Sequence, residues 1–143
     1  MTLIVADASV ITKWFIEEEY SAEANMLRED YINQLIDIAV PQILYYEVLN
    51  ALKYSYQFSE DELLSVGQAL EDYQFLVIPL GGRYLEQTIR RAIIHGITIY
   101  DASYIAIGDV RKCKVFTADE KLLRKISGNA PLYHIRDYQK YRD

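Results

Sequence analysis

Cysteine is almost missing from this chain: Cys113 stands alone, so no disulfide can form within it, which suits a reducing, cytoplasmic setting. Histidine is nearly as scarce, and neither His95 nor His134 stands in a zinc-ligand spacing. Both are expected in structural or exposed roles, and Cys113 reads as a strand-edge residue without catalytic work. No apolar run is long enough to span a membrane. The opening run Leu3-Ile4-Val5-Ala6 stops at Asp7 and lacks the charged start and long apolar body of a signal peptide. Repeats, low-complexity tracts and linkers are also missing, so residues 1–143 are expected to form a single domain. Excess positive charge is absent too. The net charge of -6 argues against general coating of duplex DNA.

What is present is a chain 51% hydrophobic, enough for a real core, with a polarised charge distribution. Residues 1–75 carry 14 acids and 3 bases, whereas residues 76–143 carry 7 acids and 12 bases. The bases gather as Arg90-Arg91, Arg111-Lys112-Lys114 and Lys121-Arg124-Lys125. They read either as solvated helix faces or as a phosphate-steering rim beside an acidic site.

Short apolar runs alternate with segments of helical spacing. Strands are expected at 2–6, 38–40, 75–78, 115–117 and 132–134. Helices are expected at 8–16, 21–36, from Pro41 to about 57, from Ser59 onward, after Gly81-Gly82 to His95, 101–111 and 120–126. Ser59 with Glu62 forms a capping box, and Gly96 is a natural helix stop. In the second helix Ala24, Leu27, Tyr31 and Leu35 share one face. Such alternation implies an α/β fold, with a mostly parallel sheet covered by helices on both faces.

In that fold four carboxylates converge. Asp7 closes the first strand, Asp119 follows the strand ending at Thr117, Asp101 opens a helix, and Glu47 lies on the apolar stripe of another. Acids at strand exits and helix entries face the crevice beyond the carboxyl ends of parallel strands. Asp7, Asp101 and Asp119 could each be a simple helix cap. Glu47 is different. Its neighbours one turn away are Ile43, Leu44, Asn50 and Ala51, with no Lys or Arg among them. An unpaired carboxylate there needs a partner from elsewhere, or exposure. Ser9 could orient Asp7 or a metal-bound water, and Asn50 could hydrogen-bond behind Glu47. Four clustered carboxylates repel, and a hard divalent cation is the common way to make them useful. The chemistry expected is metal-dependent hydrolysis, which needs no nucleophilic Ser, Cys or His.

The four acids lie in motifs that resemble the PIN-domain ribonucleases, specifically the VapC-type toxins of toxin–antitoxin pairs. Asp7-Ala8-Ser9-Val10 followed by Lys13-Trp14-Phe15 is similar to the first acidic motif. Tyr46-Glu47-Val48-Leu49-Asn50-Ala51-Leu52 is similar to the second, Tyr100-Asp101-Ala102-Ser103-Tyr104 to the third, and Thr117-Ala118-Asp119-Glu120-Lys121-Leu122 to the fourth. The resemblance implies a PIN-like three-layer α/β/α sandwich whose metal ligands and catalytic residues are Asp7, Glu47, Asp101 and Asp119. Ser9 and Thr117 become supporting hydroxyls. It implies Mg²⁺ or Mn²⁺ as cofactor, an RNA substrate cleaved internally by metal-activated water, a homodimer, and a small antitoxin whose tail occupies a groove by the active site.

Two other readings compete. A catalytically silent binding module would use the acids to receive a basic peptide. A phosphatase or receiver domain also gathers acids at strand ends, but the former wants a second Asp where Ser9 stands, and the segment Phe75–Leu80 carries no acid for the latter. Thirteen tyrosines add a separate signal: Tyr45, Tyr46, Tyr54 and Tyr56 crowd one helix and cannot all face inward. They suit either a protein interface or the half-buried boundary of the core.

Overall fold

A computed structural model describes residues 1–142. Five strands, β1 (Thr2–Ala6), β2 (Ile36–Pro41), β3 (Leu76–Ile78), β4 (Lys114–Thr117) and β5 (Leu132–His134), form one sheet in the order β3-β2-β1-β4-β5. Every pairing is parallel, with Ile4 opposite Ile38, Val5 opposite Val115 and Phe116 opposite Tyr133. Seven α-helices surround it: α1 (Ala8–Ile11), α2 (Ser21–Ile32), α3 (Ile43–Tyr54), α4 (Glu60–Asp72), α5 (Gly82–His95), α6 (Ile99–Arg111) and α7 (Glu120–Lys125). Among the described residues, no helix is long and apolar enough to cross a membrane.

The sheet sits inside because its strands are apolar on both faces. Ile4, Val5 and Ala6 are consecutive and all buried, although neighbours on a strand point opposite ways. Helices must therefore cover both faces, giving the three-layer α/β/α sandwich. Helix α6 lies across β1, β2 and β4 and under α5, and its stretch Ala102–Gly108 is buried without a break. Gly108 permits that packing: a Cβ there would stand 2.5 Å from Cγ2 of Val115.

Several boundaries differ from the sequence expectation; β2 starts at Ile36, and α6 starts at Ile99 behind its Thr98 cap, two residues before Asp101. Helix α1 ends at Ile11 and passes into a 3-10 turn, Thr12–Trp14, which sets Trp14 against Tyr73 and Phe75 with its indole N–H on the carbonyl of Ala24 (2.9 Å). Helix α2 stops at Ile32 because Gln34 turns left-handed (φ 62°), so Leu35 lies beyond the helix and is 59% exposed. Pro41 ends β2 instead of starting α3. At the last position of a strand its missing N–H interrupts no further ladder. The C-terminal stretch Ile135–Tyr141 is a 3-10 helix that no helical or strand period announces. Its inward residues Ile135 and Tyr138, and half-buried Tyr141, recur every three positions, which is the 3-10 repeat. The capping box at Ser59 and the left-handed stop at Gly96 (φ 63°) stand as expected.

Candidate active site

Strands β1, β2 and β3 step outward in one direction and β4 and β5 in the other. The order reverses between β1 and β4, so the crevice lies beyond their carboxyl ends. Asp7 is the first residue past β1, and its N–H is tied to the carbonyl of Phe116 on β4 (3.0 Å). Its carboxylate also caps α1 by accepting from the N–H of Val10 (3.3 Å). Capping α1 therefore does not exclude Asp7 from a place at the crevice.

A line of hydroxyls runs from Asp7 to Asp119. Ser9 Oγ donates to Asp7 Oδ1 (2.5 Å), accepts from the N–H of Ala118 (2.8 Å) and lies 3.3 Å from Thr117 Oγ1. Thr117 Oγ1 accepts from the N–H of Asp119 (3.0 Å), and Asp119 caps α7 through the N–H of Leu122 (3.0 Å). Asp101 sits in the first turn of α6, its N–H on the Thr98 cap (3.0 Å). Glu47, on α3, accepts from the hydroxyl of Tyr104 on α6 (2.7 Å).

The electrostatics follow from this crowding. Asp7 is 8% exposed, and burial pushes its carboxyl up to about 7 against the pull of Ser9 and Thr117, with the charge of Asp101 adding to the rise. Glu47 is raised by burial, opposed by Tyr104 and reinforced by Asp101. Asp101 is raised by burial and then by Asp119, while Lys125 opposes. Burial and the charge of Glu47 drive the Tyr104 phenol far above its ordinary value, so it remains a donor. Burial and mutual repulsion make these acids costly to ionise together, which a hard cation would relieve. The donor set, carboxylates and hydroxyls without a thiolate or imidazole, fits such an ion. Among the described residues no three His, Cys, Asp or Glu stand close enough to enclose one as they are. Asp7 accepts through Oδ1 from Ser9, Glu47 through Oε1 from Tyr104 and Asp119 through Oδ1 from its own helix, so an ion would draw the acids together while these bonds hold one oxygen of each.

Of the supporting residues, Ser9 and Thr117 stand between two acids, whereas Asn50 is exposed, lines the groove between α3 and α4, and makes no hydrogen bond to Glu47. Tyr104 takes that role. Its signal in the sequence was the absence of any cation one turn from Glu47, together with a tyrosine one turn beyond Asp101. The bases separate. Lys121 and Lys125 lie on α7 beside Asp119, but Arg91 is held by both oxygens of Asp109 (2.7 and 2.8 Å). Arg111, Lys112 and Lys114 sit at the amino end of β4, away from the acids. The steering rim therefore reduces to α7. His95 and His134 are buried and accept backbone N–H groups from Ser127 and Arg136. Burial raises the Cys113 thiol. The α3 tyrosines divide: Tyr45 packs on the core, while Tyr46 and Tyr54 are each 67% exposed.

Comparison with known proteins places this architecture. The PIN domain family profile matches residues 4–128, which contain all four acids. The chain belongs to the PIN-domain family. It is 30% identical over 126 residues to Ribonuclease VapC3 of Pyrobaculum aerophilum, covering 85% of this chain and 93% of the relative. Its fold matches a toxin–antitoxin complex from Klebsiella pneumoniae (TM-score 0.65, 18% identity, 94% of this chain and 98% of the other). It likewise matches DNA-bound VapBC from Salmonella typhimurium (TM-score 0.64, 15% identity, 94% and 99%). Strand β5 and the C-terminal 3-10 turn lie past the PIN match, although β5 belongs to the same sheet.

Proposed function

We propose that this PIN domain, acting as one domain over residues 1–143, is a metal-dependent endoribonuclease and the toxin of a toxin–antitoxin pair. The observation that carries the reading is the repulsion that Asp101 exerts on Asp7 and Glu47 and receives from Asp119, in a member of this family. Its ribonuclease relative and its toxin–antitoxin neighbours support the substrate and the partner. Asp7, Glu47, Asp101 and Asp119 would hold Mg²⁺ or Mn²⁺. A bound ion of that kind supplies Lewis acidity at phosphorus and acidifies water at neutral pH. The chain does the rest. Ser9 fixes the rotamer of Asp7 through a 2.5 Å bond, and Tyr104 fixes Glu47. Lys121 and Lys125 offset the repulsion that an RNA phosphate would meet at the acids.

The groove between α3 and α4, lined by Tyr46, Leu49, Phe58, Leu63 and Leu64, suits the antitoxin. The exposed Ile89, Ile93 and Ile94 of α5 suit a homodimer. RNA as substrate and a free thiol both fit the cytoplasm.

The test is incubation of antitoxin-free protein with mixed-sequence single-stranded RNA in Mn²⁺, Mg²⁺ or EDTA, with Asp101→Asn alongside. Metal-dependent cuts absent from the variant are the expected result. Equal cutting by Asp101→Asn overturns the site. No cutting, together with no rise in melting temperature at millimolar Mn²⁺, favours the silent binding module instead.

A further inference from the structure

The Arg111-Lys112-Lys114 cluster has no place in the chemistry above, yet the fold builds a surface around it. At the amino-terminal ends of β1, β2 and β4, opposite the acids, lies a cavity of about 330 Å³ lined by Arg111, Lys112, Lys114, Tyr138, Tyr141 and Arg142. Its one carboxylate, Asp30, is already engaged: Arg142 holds both oxygens (2.9 and 3.0 Å), and the Tyr138 hydroxyl donates to one (2.6 Å). Among the described residues no carboxylate pairs with Arg111, Lys112 or Lys114.

The C-terminal 3-10 segment links this cavity to the acids. Arg136, at its start, reaches Glu120 beside Asp119 (3.3 Å), and Arg142, just past its end, reaches Asp30 at the far cavity. The segment therefore runs back along β4, which spans roughly 10 Å from Lys114 to Thr117. Exposed Lys140 lies on it. Half-buried Tyr133 and Tyr141 pack together (4.7 Å between centroids), and Lys114 Nζ stands 5.4 Å from the Tyr141 ring. Cations spaced along a strand-length path suit the phosphates of a single-stranded nucleic acid, while the tyrosines form the wall: Tyr138 is buried with its hydroxyl on Asp30, and Tyr133 and Tyr141 pack on each other.

We propose that this basic, tyrosine-lined track binds the phosphates of single-stranded RNA beyond the scissile bond, with the far cavity as its end. The inference rests on the ribonuclease reading for its substrate, and the test separates the two. The double variant Arg111→Glu/Lys112→Glu changes two exposed side chains, and Lys114→Gln carries the same comparison should the double variant fail to fold. Each is assayed in Mn²⁺ on a long single-stranded RNA and on a short oligonucleotide spanning only the scissile phosphate. Binding of the long RNA is also measured in EDTA across a salt series. The expected result is a KM for long RNA raised roughly tenfold at unchanged kcat, with the salt slope of binding smaller by about 0.7 per lost phosphate contact. Cleavage of the short substrate stays unchanged.

Wild-type KM and salt slope on long RNA would overturn the proposal. So would an equal loss on the short substrate, or the same loss from Lys53→Glu on α3, which would reduce the effect to net charge. If the wild type cuts neither RNA but binds the long one in EDTA and the variants weaken that binding, the track stands and the ribonuclease reading falls. If the wild type binds no RNA at all, the track falls.

Discussion

Replacing Asp7 with Asn separates the energetic cost of the acid cluster from its function. Burial holds the Asp7 carboxyl at about 7 in the folded protein, against an ordinary 3.8. The native state thus keeps a proton that the unfolded chain releases, and stability must fall as pH rises between those two values. At about 1.4 kcal/mol per tenfold change in proton affinity, the full loss is roughly 4 kcal/mol by pH 8, and more than half of it develops between pH 5 and pH 8. Asn carries no charge and keeps an Oδ1 to accept from Val10 and Ser9, but the Ser9 bond loses the help of the carboxylate charge, worth about 1 kcal/mol. Asp7→Asn should therefore stabilise the metal-free protein by roughly 3 kcal/mol at pH 8, or roughly 10 °C in Tm for a domain of this size. Near pH 5 the two proteins should be much closer. The widening of the gap between pH 5 and pH 8, roughly 2–3 kcal/mol, is independent of the weakened hydrogen bond. The assay is thermal unfolding in EDTA at both pH values, repeated with millimolar Mn²⁺. The ion should raise the wild type's Tm at pH 8 and leave Asp7→Asn nearly unmoved. A gap equal at pH 5 and pH 8 in EDTA would refute the reasoning, because it would mean that Asp7 does not carry a perturbed proton.

Tyr104→Phe removes the hydroxyl that holds Glu47, so Mn²⁺ affinity should fall about tenfold; an unchanged affinity in an isothermal titration would deny Tyr104 its positioning role. Gly108→Ala forces a methyl against Val115, Pro131 and the carbonyl of Cys113, and should cost about 1–3 kcal/mol by urea unfolding. Ser59→Ala opens the capping box of α4 and should cost about 1 kcal/mol, leaving RNA cleavage as it was.

The segments that read clearly were those with an unambiguous period or punctuation mark. β1 is a short apolar run closed by an acid, α4 begins at a reciprocal cap, and α5 ends at a left-handed glycine. Where the chain departs from the expectation, the cause is a backbone conformation that side-chain pattern does not encode. Gln34 ends α2 from the left-handed region, and the run Ile135, Tyr138, Tyr141 follows a three-residue repeat that neither helix nor strand templates match. Asp7 and Asp119 were legible because they close a strand and cap the next helix, Asp101 because it stands in the first turn of a capped helix, and Glu47 because it is an acid on an apolar stripe with no cation one turn away.

The sequence by itself determined the alternation of strands and helices, the four acids and their order, and the family to which they belong. These are local patterns, carried by neighbouring residues. Only the tertiary structure decided which hydroxyl holds Glu47, since Tyr104 lies 57 residues away, and that Ser9 bridges to the N–H of Ala118, 109 residues on. Only it separated the bases into those beside Asp119 and those at the far end of β4. A charge cluster in a sequence has no side of the sheet until the strand that carries it is placed, and the direction of β4 put Lys114 at one end and Asp119 beyond the other.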